Sequence, residues 1–277
     1  MSKTNEKDEQ KIVLSEEDQE LMQFMIRNEK KYHCLSSTKD KEKTKGCYTD
    51  SNRIVTLNWL TTVCEEFKLG REAFYLAASY LDSYFFIRSQ TPTQKPFVDI
   101  NNLQLLAIAC ILIASKFEEQ MNVSLAHFAA LAGEEKPCTI PDLKTMEMHV
   151  LKTLNFGLHI TTPYAWFMFF SERLQLESIR ESAFVVLDLC MLDPKFRQFY
   201  PSQLAATLIA SCHLPGTNIP PILSWAYSHE CGKLICWLLK QINTIKWTRS
   251  ISDPLEKDVQ PEIPPIFLST LYPKIVT

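Results

Sequence analysis

Glycine is scarce in this chain. Its 277 residues hold six, Gly46, Gly70, Gly133, Gly157, Gly216 and Gly232, and no two are separated by a single residue. Without a G-x-G turn there is neither a Rossmann dinucleotide fingerprint nor a Walker phosphate loop. A positive excess is missing too, because 29 Lys and Arg stand against 32 Asp and Glu, a formal net charge of -3. A domain whose main work is neutralising phosphates carries the opposite balance, so no nucleic-acid partner is expected. The longest apolar run, Leu103 to Ser115, contains Gln104 and stops at Lys116, which is too short for a membrane span. The opening MSKTNEKDEQK is charged with no apolar stretch behind it, so no secretory leader is expected.

The nine cysteines are odd in number and scattered. Cys110 and Cys190 lie inside the apolar runs LLAIACILIASKF and FVVLDLCML, where a thiol behaves as a small hydrophobe. A reducing compartment follows, nucleus and/or cytoplasm. His229, Cys231 and Cys236 gather in SHECGKLIC, but their spacing fits no zinc pattern and no second ligand pair stands nearby. A helix burying both cysteines is expected there instead. The chain has no G-x-S-x-G, and Cys138 follows Pro137 without P-C-x-x-C or H-x-E, which excludes a hydrolase elbow and a zinc deaminase. No metal, no cofactor and no catalysis by this chain are expected.

Hydrophobic residues make up 46% of the sequence, and from residue 50 onward they recur with helical spacing. A first helix over about 16–34 has Ser15 as its cap and gathers Leu21, Met22, Phe24, Met25 and Ile26 toward one side. The polar run SSTKDKEKTKG follows as a linker. Beyond it come SNRIVTLNWLTTVCEEFKL, REAFYLAASYLDSYFFI and NNLQLLAIACILIASKFEE; the last is apolar almost all round and belongs in the middle of a bundle. VSLAHFAALAG ends at Gly133, and IPDLKTMEMHVLKTLNF ends near Gly157. The second half repeats this plan, with PSQLAATLIASCHL as its counterpart of the central helix. The expected fold is all-α, two tandem repeats of about five helices each behind a short N-terminal helix. The expected divisions are an N-terminal extension 1–48, a first repeat 49–160, a second repeat 161–248 and an acidic, proline-rich tail 249–277.

Four segments in order, NRIVTLNWL, ASYLDSYF, LQLLAIACILIASKFEE and MEMHVLKTLNFGL, give a specific resemblance. The chain resembles the cyclin family over roughly residues 16–247, most of all its E-type or A-type cell-cycle members. The resemblance implies a non-catalytic subunit that binds and activates a cyclin-dependent serine/threonine protein kinase as a heterodimer, with G1/S-like cell-cycle control. It implies that Arg53 and Asp82 form a buried structural ion pair joining the first two helices of the box. It implies that Lys116 and Glu147 grip the kinase, with Ile113, Phe117, Leu151, Phe156 and Leu158 as the apolar positions around them. A patch for R-x-L-type substrates or inhibitors corresponds to Val55, Trp59 and Gln104. There Asn52 and Thr56 replace larger apolar residues, and Thr62 replaces the acid that pairs with the peptide's arginine. The alternative is another use of the same fold, an adaptor for transcription or scaffolding without kinase activation; the charge balance and the matched Lys116 and Glu147 favour the kinase.

Overall fold

The computed structural model describes residues 14–33, 48–90, 102–118, 124–133, 138–213 and 219–252. The linker after the first helix, residues 91–101 and the tail from 253 lie outside the described residues. Among those described there are eleven α-helices and no strand.

Helix α1 spans Glu16–Tyr32, and Ser15 caps it by accepting from the Asp18 amide at 3.1 Å. The first half then holds α2 (Asp50–Phe67), α3 (Arg71–Gln90), α4 (Leu103–Glu118), α5 (Leu125–Ala130) and α6 (Ile140–Thr153). Every residue from Leu106 to Ser115 of α4 is buried, as its all-round apolar sequence requires. Its alanines and Cys110 keep the helix thin, so α2, α3, α5 and α6 all pack against it. A capping box starts α6, with the Thr139 hydroxyl and the Asp142 carboxylate each bonding the other's backbone N–H.

The second half has α7 (Pro163–Arg173), α8 (Arg180–Leu192), α9 (Pro201–His213), the single turn α10 (Pro221–Ser224) and α11 (His229–Ser252). Here α9 is the centre, with Leu204 to Ile209 buried and α7, α8, α10 and α11 around it. The architecture is thus all-α in two tandem halves, each built round one apolar helix.

Two polar clusters lock the halves together, and a third ties α1 to the second half. Arg53 of α2 grips Asp82 of α3 through Nε and Nη2, both at 2.9 Å, and reaches the Met191 carbonyl at the end of α8 with Nη1. Burial alone would push the Asp82 carboxyl up, but Arg53 and Arg197 hold it at about 2. Arg71 pairs with Asp188 of α8 at 2.5 Å, and the Tyr75 hydroxyl donates to the same carboxylate. Glu29 of α1 accepts from the Trp166 indole at 2.9 Å and from the backbone and hydroxyl of Ser202 at the start of α9. An acidic side chain at a helix N-terminus meets otherwise unpaired N–H groups, which is why a buried Glu29 is tolerated.

Two expectations need correcting here. Cys231 is buried, but Cys236 is exposed, because five residues rotate about 140° round a helix and one face cannot bury both. The end of α6 is not made by Gly157 but by Asn155 and Phe156, which take the left-handed backbone at φ +49° and +55°. The described residues contain no cluster of His, Cys, Asp or Glu fit for a metal and no helix long and apolar enough to cross a membrane.

Candidate partner-binding face

The ends of α4 and α6 come together on one side of the first half. Lys116 in the last turn of α4 meets Glu147 of α6 at 2.6 Å. The carboxylate is mostly covered while half of the lysine remains in water. Such a pair contributes little to stability on its own, but it fixes two charges at a defined spot.

Exposed apolar groups belong to the same segments. Phe117 is 41% exposed and Phe156 60%, and Met148 one residue beyond Glu147 is exposed as well. Holding Phe156 outward takes a backbone conformation that costs a non-glycine residue roughly 1–2 kcal/mol. The turn is retained by bonds from the Phe156 amide to the Leu151 carbonyl at 2.8 Å and from the Tyr80 hydroxyl to the Leu158 carbonyl at 2.8 Å. A strained residue with an aromatic ring in solvent is the pattern of a site held ready for a partner.

Helix α1 extends this face. Asn28 straps the segment after the turn, donating to the His159 carbonyl at 2.7 Å and accepting from the Thr161 amide at 2.8 Å. Gly157 permits the approach, since a Cβ there would stand 2.3 Å from the Tyr32 hydroxyl. The Phe24 ring lies 5.2 Å from that of His159, which in turn is 6.1 Å from Phe117. Leu21 and Phe24 are both exposed, so the apolar residues of α1 divide between two faces instead of gathering on one. Met25 is buried, with Met22 and Ile26 packed against the core.

The structure thus pairs Lys116 with Glu147 and leaves Phe117 at the end of α4 and Phe156 after α6 exposed, with Leu151 and Leu158 half-buried. Ile113 is a correction: it is 2% exposed, because it lies in the stretch of α4 that is buried on every side. The residues that sequence reasoning missed are Leu21, Phe24, Met148 and His159. The i, i+3 spacing of Leu21 and Phe24, offset from Met22 and Met25, was the available signal.

The second patch is more modest. Val55 is 52% exposed, Trp59 is half-buried against the core, and the Gln104 amide donates to the Leu131 carbonyl at 3.2 Å. Thr56 is buried with its hydroxyl on the Asn52 carbonyl, and Thr62 is exposed.

Residues 20–159 match the family profile described as "Cyclin, N-terminal domain". The chain belongs to the cyclin family. It is 35% identical over 169 residues to a G1/S-specific cyclin-E1 of Danio rerio, covering 57% of this chain and 39% of that protein. It is also 31% identical over 202 residues to a putative cyclin-B3-1 of Arabidopsis thaliana, covering 69% of this chain and 48% of that protein. The chain therefore spans less than half the length of these curated relatives. A viral cyclin from herpesvirus saimiri shares the fold, with a TM-score of 0.55 and 21% identity over 68% of this chain and 84% of the viral one.

Proposed function

We propose that this chain is the regulatory subunit of a cyclin-dependent serine/threonine kinase, acting in the nucleus or cytoplasm at a G1/S-like step. The observation that carries this reading is the Lys116–Glu147 pair at 2.6 Å, with Phe117 exposed at the end of α4 and Phe156 exposed in the turn after α6. Two fixed charges with exposed aromatic anchors on the same two helical segments suit a helix laid into a groove. The names of similar proteins include G1/S-specific cyclin-E1, which supports the phase, beside G2/mitotic-specific cyclins. The first repeat at 49–160 supplies the groove, and the second, at 161–248, buttresses it through Arg53, Arg71 and Glu29.

The partner's C-helix lies across α4 and α6, where it is held with its glutamate beside the lysine that positions ATP phosphates. Catalysis then belongs to the kinase, and this chain shifts a population. Moving a kinase from 1:99 to 99:1 active needs a differential of about 5.5 kcal/mol. An interface of standard size, about 1,600 Å², is sufficient for it. Docking of R-x-L-type peptides at Val55, Trp59 and Gln104 is part of the same reading, with apolar contact dominant because Thr62 offers no carboxylate.

Reconstitution with a monomeric cyclin-dependent kinase and a Ser/Thr-Pro substrate tests the proposal. A large rise in phosphorylation rate that is lost in Lys116→Ala/Glu147→Ala is the expected result. Unchanged activation by the folded double variant refutes the grip, and absence of binding to any such kinase refutes the function.

A further inference from the structure

The outer side of α11 is an aromatic and basic stripe. His229, Lys233, Trp237 and Lys240 follow one another at helical spacing and are all exposed, as are Glu230 and Cys236 beside them. Trp237 is 37% exposed, and the Lys195 ammonium sits 4.5 Å above its ring. A groove of about 350 Å³ runs alongside, walled by Ser211, Tyr227 and Gly232. Three lysines against one glutamate make the stripe electropositive. Nothing in the grip between α4 and α6 uses it.

The chain itself carries a segment of matching chemistry. Residues 253–262, DPLEKDVQPE, hold four acids and one lysine. The next ten, IPPIFLSTLY, are apolar in eight positions and include Pro264-Pro265. Apolar proline-containing runs lose little entropy when they lie on aromatic surfaces. The distances also agree. Trp237 stands 15 residues before the end of α11 at Ser252, about 22 Å along the axis, and Lys240 about 18 Å. Ten residues of extended chain cover about 31 Å, so with roughly four spent on turning, Glu262 comes level with Lys240.

We propose that residues 253–267 fold back along α11, placing Glu262 against Lys240 and Ile263 to Phe267 over Trp237 and into the groove beside Tyr227. The stripe is then an internal docking site for the chain's own tail. This inference does not depend on the kinase reading.

Cys236 lies in the stripe and reports on its cover. The test is the rate of Cys236 alkylation by iodoacetamide in the full chain, read by peptide mass mapping, with half-buried Cys138 as an internal reference. Ile266→Asp/Phe267→Asp is expected to raise the Cys236 rate at least fivefold and leave Cys138 unchanged. Glu262→Lys should do the same, and adding Lys240→Glu should restore protection. Equal Cys236 rates in the parent chain and both tail variants overturn the proposal. Protection that grows with protein concentration overturns it as well, because the cover then comes from a second copy.

Discussion

Arg53 donates through Nη1 to the Met191 carbonyl at 2.9 Å, 138 residues away in sequence, while its other nitrogens hold Asp82. One guanidinium thus joins α2, α3 and the end of α8, where the sequence pointed only to the first two. Arg53→Ala leaves the Asp82 carboxylate buried without its counter-charge, a loss of about 3–5 kcal/mol. Arg53→Lys is expected to recover only part of it, since an ammonium lacks the planar fork. Thermal melts should show one transition shifted as a whole. Two transitions, with only the first displaced, would mean that Arg53 serves the first half alone.

Glu72 carries a second test at the same junction. One carboxylate oxygen accepts from the Thr162 hydroxyl at 2.7 Å, and the other is buried with no hydrogen-bond partner among the described residues. Burial pushes its pKa up to about 7, opposed by the Thr162 bond and reinforced by Glu118. Between about 4.5 and 7 the folded chain keeps a proton that the unfolded chain has released. Stability is therefore greatest below that window and falls as pH rises through it, by about 3 kcal/mol in all. Glu72→Gln keeps an acceptor for Thr162 and has nothing to titrate. Its stability gain over the parent should be near zero at pH 4.5 and full at pH 8 in urea titrations. Parallel curves across that range would show that the carboxyl titrates normally.

Much of this molecule was legible because its signals are local. The all-round apolar α4, the Ser15 cap and the order of the four box segments are written in short windows of residues. What was not legible depends on partners distant in sequence. Whether Leu21 and Phe24 or Met22 and Met25 face inward is settled by where α1 docks, and that is fixed by Asn28 on His159 and Thr161 and by Glu29 on Ser202. Ile113 reads equally well as surface or core until α6 is placed beside it. The turn at Asn155 and Phe156 defeats propensity altogether, because two non-glycine residues adopt the backbone that Gly157 was expected to supply.

Gly157 instead serves the contact with α1. A Cβ there would meet the Tyr32 hydroxyl at 2.3 Å and the Leu154 carbonyl at 3.1 Å. Gly157→Ala should cost about 1–3 kcal/mol, the usual range for overpacking. In a Tyr32→Ala background the cost should shrink, leaving only the milder Leu154 contact. A double-mutant cycle by chemical denaturation measures the coupling, and strict additivity would place the strain elsewhere.

The sharpest contrast lies between Phe156 and Ile113, which the sequence assigned to the same task. Ile113→Ala opens a cavity under α4 and should cost about 2–5 kcal/mol of stability, with kinase binding lost only as a consequence. Phe156 buries little and occupies a left-handed backbone at φ +55°, so Phe156→Gly relieves strain of roughly 1 kcal/mol and should raise the melting temperature by a few degrees. The same substitution removes an aromatic anchor from the proposed groove, and an anchor of that kind is typically worth about 2 kcal/mol, more than tenfold in affinity. Calorimetric melts and titration of the kinase on one variant therefore read opposite signs. If Phe156→Gly loses stability, the turn is built around the ring after all; if it binds the kinase as tightly as the parent, the exposed ring is not part of the interface.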